Sequence, residues 1–183
     1  MNLPSKGFPG VGYLVLASVF GIFAATASAA DNVLFSGLLI DQTCTLEPGA
    51  ETQLLDFEEV SAQELYRHGR SRAKAIVLNL LDCTAGASRT RVKAVFSGQE
   101  SPELPGFLLL SGTSPKGLVI GLETDTAQPL PLGALNSIGQ ISADGRQSVS
   151  FQAYLKALPS ALASRGIGRG PLDASLTFTL SYD

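Results

Sequence analysis

The chain closes on Leu176-Thr177-Phe178-Thr179-Leu180-Ser181-Tyr182-Asp183. Leu176, Phe178, Leu180 and Tyr182 fall at a strict period of two, with small hydroxyl residues between them. That spacing puts every apolar side chain on one face of a strand and would scatter them around a helix. The final strand is read from Leu172 to Tyr182, with a free carboxylate on Asp183. Chain ends normally fray, so a core-type strand that runs to the terminus requires something to pair with it.

Upstream, the same period recurs. Ala75 to Cys83, Phe107 to Leu110, Gly117 to Glu123 and Ser148 to Leu155 read as strands. Arg91 to Phe96 alternates, with Val92, Ala94 and Phe96 on one face. A shorter strand is expected at Gln53 to Phe57, and an edge strand or turn at Pro129 to Gly133, where proline cannot donate to a ladder. Ala62 to Tyr66 and Ser160 to Ser164 suit brief helical turns, and Asn136 to Gly145 reads as a mostly polar loop. Many short strands separated by Gly, Pro, Asn and Ser predict an all-β sandwich. With 183 residues the chain has room for one domain, and 45% apolar content supports a real core.

The first thirty residues pose a separate problem. Lys6 gives a positive start, Val11 to Ala27 is largely apolar, and Ala27-Ser28-Ala29 supplies a small-x-small cleavage site. Residues 1–29 therefore read as a secretory signal peptide. An uncleaved membrane anchor competes with this reading, but the run is short for a span of ~20 residues. Loss of Lys6, with no acid, takes the formal charge from −3 to −4. No basic excess points to nucleic acid. Cys44 and Cys83 both lie in the exported part, where paired thiols tend to oxidise. A bridge would close a loop of roughly 40 residues and stabilise by roughly 3–4 kcal/mol. A two-ligand metal site is the competing reading, and the lone His68 is not spaced to join it.

A search for catalysis yields little. No nucleophile-elbow pattern surrounds any serine, and His68 sits in a basic run with Arg67, Arg70 and Arg72 that reads as a solvated loop. Asp56, Glu58 and Glu59 form one acidic group, and Glu123 lies near Asp125; paired carboxylates suit hydrolysis or calcium, but equally a solvated surface. Gly166, Gly168 and Gly170 lack the preceding strand and the lysine of a phosphate loop. Neither an enzyme nor a cofactor or metal site is expected.

Taken in order, the residues resemble the subunits of chaperone–usher pili. The resemblance rests on Gly37 followed by an apolar run and Cys44-Thr45-Leu46, on Leu80-Leu81-Asp82-Cys83, on Ala94-Val95-Phe96-Ser97-Gly98, on Gly117 to Leu122, on Phe151 to Tyr154, and on Gly170 with penultimate Tyr182. Asp31-Asn32-Val33-Leu34-Phe35-Ser36-Gly37 looks like the start of the minor tip adaptors of P pili, of the PapK and PapE kind. The resemblance implies an incomplete immunoglobulin-like β-sandwich (residues 42–183) that lacks its seventh, or G, strand. It implies a donor-strand extension, residues 30–41, with Val33, Phe35, Gly37 and Leu39 as the expected pocket-facing set. The opposite phase stays open, because Leu34, Leu38 and Ile40 are apolar too. Gly170, Leu176, Phe178, Leu180, Tyr182 and Asp183 would line the open groove. The implied partners are a periplasmic chaperone whose basic residues hold the Asp183 carboxylate, an outer-membrane usher, and neighbouring subunits joined by strand exchange at the cell surface. A rod subunit or terminator of the same family, and a self-complete secreted β-sandwich binding module, are the alternatives.

Overall fold

Alternation of large apolar and small polar residues makes Gly145–Ala157 a long strand, β7, that buries Val149, Phe151, Ala153, Leu155 and Ala157 on one face. Around it a computed structural model describes residues 44–84, 90–111 and 115–183. The expected signal peptide and the expected donor extension, with Val33, Phe35, Gly37 and Leu39, lie outside the described residues.

In chain order the elements are β1 (Thr45–Leu46), α1 (Ala62–His68), β2 (Lys74–Cys83), β3 (Thr90–Ser97), β4 (Leu108–Leu109), β5 (Leu118–Glu123), β6 (Leu135–Ile141), β7, α2 (Pro159–Ser164) and β8 (Thr177–Tyr182). Two antiparallel sheets form, a five-stranded one in the order β1-β2-β7-β5-β4 and a three-stranded one in the order β6-β3-β8. Their inner faces meet in one core. Leu78 and Leu80 of β2, Ile120 and Leu122 of β5, and the inward row of β7 face Val92, Ala94 and Phe96 of β3. The Phe96 and Phe151 rings sit 4.9 Å apart between centroids, a tilted pair that adds geometry to the burial.

The all-β sandwich and most strand positions agree with the sequence reading, as do the two helices. α1 starts at Ser61, whose side chain accepts the Gln63 N–H, and stops at Gly69 in the left-handed region. Two expectations fail. Asn136 to Gly145 is not a loop over most of its length, because β6 pairs with β3 there. A bulge explains why its pattern is hidden: Val92 lies opposite Gly139 and Lys93 opposite Ser137, which leaves Ile138 as the extra residue. The inward positions are therefore Asn136 before the bulge, Ile138 at it and Ile141 after it. Buried Asn136 is satisfied, since its amide donates to Pro131 O (3.0 Å) and Ala134 O (2.9 Å).

The strand expected at Gln53 to Phe57 does not form either. The Asp56 carboxylate accepts the Glu58 N–H at 2.7 Å, and Glu58 sits at φ 56°. This local turn takes a donor that a ladder would need. The region is instead fastened by Lys74, whose Nζ donates to Asp56 O (2.9 Å) and pairs with Glu58 (2.9 Å).

Cys44 and Cys83 are joined as a disulfide. It pins the start of the described chain to the end of β2, beside a β1–β2 ladder of only two residue pairs. The Cys44→Ser/Cys83→Ser chain is expected to lose roughly 3–4 kcal/mol by the loop-entropy argument. Urea unfolding of the two oxidised-handled chains side by side measures it, and equal midpoints and slopes would refute the assignment of stability to the bridge.

Candidate functional site

The segment from Pro171 to Tyr182 alternates exposed and half-buried residues without a break, although only Thr177–Tyr182 forms a ladder. Leu172, Ala174, Leu176, Phe178, Leu180 and Tyr182 all turn toward the core and pack on it, yet each stays only partly buried. The period-two reading of the final stretch holds over its whole length, but its first half makes no strand pairing. β8 bonds β3 from Val92–Tyr182 to Ser97–Thr177. Its opposite edge has no strand partner among the described residues. Backbone groups on a bare edge and half-covered apolar side chains both favour a further strand.

Facing this wall across a seam lies the stretch 51–60. Leu55 and Val60 are half-buried, Phe57 is buried, and Leu54 is 97% exposed. The seam opens into two adjoining chambers. One, about 450 Å³, lies between Leu54, Leu55 and the row from Leu172 to Phe178, over a floor of Ile76, Ile120, Leu122, Phe151 and Ala153. The other, about 1100 Å³, runs on between α1 and the Ile167–Leu172 stretch. Leu55, Phe57 and Leu172 line both. Gly170 adopts φ 134°, a backbone state that side chains disfavour, where the chain enters the wall. Completing the burial of each half-covered Leu or Phe is worth on the order of 1 kcal/mol.

At the far end of β8 the chain is held by β3. The Arg91 N–H donates to Asp183 O (2.7 Å), and the Asp183 N–H donates to Arg91 O (3.1 Å). The Asp183 carboxylate accepts from Lys93 at 2.5 Å and lies 3.9 Å from Arg91 Nε. The Lys93 hydrogen bond is the main cause that pulls the Asp183 carboxyl below its ordinary range. Burial alone pushes the Tyr182 hydroxyl up.

Sequence reasoning missed a second construction, on the outer face of the five-stranded sheet. Arg70 and Glu123 form a two-pronged ion pair at 2.9 and 2.6 Å, and the guanidinium lies 3.5 Å from the centre of the Tyr154 ring. Glu123 is 5% exposed, so it does not belong to a solvated acidic pair with Asp125. The hydrogen bond to Glu123 raises the Arg70 pKa, and burial raises that of Tyr154. Gly121 leaves room for the ring, since a Cβ there would meet Tyr154 Cζ at 2.5 Å. The available signal was Gly121 and Glu123 at the outward positions of a strand that is otherwise wholly apolar. Beside Arg70, Ser71 N–H donates to Leu155 O and the Ala157 N–H donates to Gly69 O, both at 2.9 Å. These bonds anchor the chain just after α1, one wall of the larger chamber. His68 is exposed in the last turn of α1. Among the described residues no cluster of metal-ligating side chains occurs, and no helix is long and apolar enough to cross a membrane.

Comparison with known proteins agrees with this architecture. The family described as fimbrial protein matches residues 33–183. The uncharacterized fimbrial-like protein YfcP of Escherichia coli K12 is 33% identical over 174 residues, covering 93% of this chain and 94% of its own length. The fimbrial adapter PapK of Escherichia coli is 30% identical, covering 90% and 94%. The crystal structure of the P pilus rod subunit PapA superposes with a TM-score of 0.63 at 19% identity, covering 78% of this chain and 100% of that one.

Two outcomes follow for the charged groups. Arg70→Ala strands the Glu123 carboxylate and should cost about 2–3 kcal/mol, below the range for a fully buried pair because Arg70 is a third exposed. Replacing both partners together, Arg70→Met with Glu123→Leu, should restore most of it in urea unfolding. The lowered Asp183 carboxyl stabilises the fold above its ordinary value of 3.8 and loses that contribution as pH falls below it. Melting temperature followed from pH 6 down to about pH 2 should accordingly fall less in Asp183→Asn than in the parent chain.

Proposed function

The chain belongs to the fimbrial protein family, whose members are structural subunits exported to form cell-surface fimbriae, and from that premise we propose that it is a minor tip or adaptor subunit of a chaperone–usher pilus that polymerises by donor-strand exchange. The observation that carries this reading is the seam itself. A continuous row from Leu172 to Tyr182 is half-buried, lies along an unpaired strand edge, and adjoins two chambers floored by core side chains. A strand laid there with alternate apolar side chains would satisfy both the edge and the row, which is strand addition to a sheet.

In this proposal residues 1–29 are removed on export and 30–41 act as the donor strand, with Val33, Phe35, Gly37 and Leu39 entering a neighbour's chambers. Gly170, Leu176, Phe178, Leu180, Tyr182 and Asp183 belong to the receiving groove. A periplasmic chaperone occupies the groove first, and the usher catalyses its replacement by the next subunit's extension. The adaptor assignment draws its support from the likeness to PapK, which bears the name of fimbrial adapter.

The mature chain is to be exported with and without a pilus chaperone, then mixed with a synthetic peptide equivalent to Val33–Asp41. Recovery only with the chaperone, followed by its displacement and a large rise in melting temperature, is the expected result. Equal yield and stability without chaperone, and indifference to the peptide, would mean a self-complete sandwich and would sink the proposal.

A further inference from the structure

Among the described residues four large apolar side chains stand well exposed: Leu54 at 97%, Leu135 at 58%, Val77 at 51% and Tyr66 at 38%. Of these four, Leu54 alone lines a chamber of the seam. It stands at the rim of the smaller one, beside Leu55, Leu172, Ala174 and Leu176. A single exposed leucine is ordinary on a protein surface. This one borders an apolar opening next to a half-buried apolar row.

Local bonds fix where it stands. On one side the Gln53 side chain donates to Ala50 O (3.2 Å). On the other, Leu55 packs on the core, and Lys74 fastens both Asp56 O and Glu58. Residues 51–55 make no backbone–backbone hydrogen bond among the described residues, so Leu54 can settle on a neighbour without breaking one. Glu51, Thr52 and Gln53 ahead of it are exposed and polar, which makes Leu54 the apolar tip of this part of the rim.

A strand laid along the row from Leu172 to Tyr182 turns alternate side chains into the chambers and the others outward. The expected donor, residues 30–41, is apolar in both phases: Val33, Phe35 and Leu39 in one, Leu34, Leu38 and Ile40 in the other. Whichever row enters the chambers, the other is apolar as well, and leaving it in water forfeits the gain of burial.

We infer that Leu54 is a specificity-determining residue of the receiving groove: it closes over the outward row of the occupying strand and favours a strand that is apolar on that face too. This rests on the donor-strand reading and deepens it, because pockets that read alternate side chains leave the outward face unread. Leu54 reads that face from the wall formed by 51–60. The preference comes from removing two apolar surfaces from water together. Leu54 is almost wholly exposed beforehand, so its burial contributes only when the strand is in place.

The test hands the mature chain from its chaperone to mixtures of peptides and measures which are captured. One peptide is Val33–Asp41; a second carries Leu34→Ser/Leu38→Ser/Ile40→Ser, and a third Val33→Ser/Phe35→Ser/Leu39→Ser. The row whose loss costs the parent chain less capture is the outward one. Leu54→Ser should be recovered with the chaperone in the parent's yield, since so exposed a side chain supports nothing in the fold. The parent should prefer the unsubstituted peptide over the outward-row version by about tenfold. Leu54→Ser should erase most of that preference and leave discrimination on the inward row unchanged, whereas Leu54→Met should behave as the parent does. If parent and Leu54→Ser both capture the unsubstituted peptide and discriminate equally on the outward row, the role of Leu54 is overturned and the donor-strand reading stands. An equal fall of discrimination on both rows is a general loosening of the groove and overturns the role as well. If the parent captures none of the peptides, the donor-strand reading falls and this inference with it.

Discussion

Six side chains on one stretch, from Leu172 to Tyr182, point at the core and are half covered. The rest of the fold is arranged around that incomplete cover. A sandwich with its two sheets closed against each other would bury such a row fully, as β7 buries Phe151 and Leu155. Here the second side of the row is a stretch of chain, 51–60, that makes no ladder. Local polar bonds at Asp56 and Glu58 keep it out of the sheet, so the gap is a property of the sequence on both of its walls.

Stability with one side open depends on what the remaining contacts supply. The Phe96–Phe151 pair and the buried rows of β2, β3, β5 and β7 form a continuous core that does not need the seam. The Arg70–Glu123 pair over Tyr154 fastens the chain just beyond α1 to the outer sheet face. That bond network steadies a wall of the larger chamber from outside it. Rigidity of the walls matters because a groove that collapsed would bury its own apolar row and have nothing left to offer a strand.

The strands were legible where one face is buried and the period is unbroken, as in Arg91 to Phe96 and in the final stretch. β6 was not, because a bulge at Ile138 changes its phase and the buried face includes Asn136; an inward amide satisfied by Pro131 and Ala134 looks in sequence like an outward one. Gln53 to Phe57 differs the other way: a strand is expected there, and the Asp56 carboxylate instead accepts the Glu58 N–H in a local turn. Within the site, Leu176, Phe178, Leu180 and Tyr182 were found by their period. The pairing of Arg70 with Glu123 joins positions 53 residues apart, and no local pattern encodes it.

The disulfide also determines how the domain takes a mechanical load. Tension on the chain ahead of Cys44 meets a β1–β2 ladder only two pairs long, which by itself would peel. The covalent bridge shunts that load past the ladder into Cys83, at the end of a ten-residue strand. β2 is bonded along most of its length to β7, the central strand of the five-stranded sheet, so the load is passed into the body of the fold. The weak first strand is thereby relieved of any duty as an anchor.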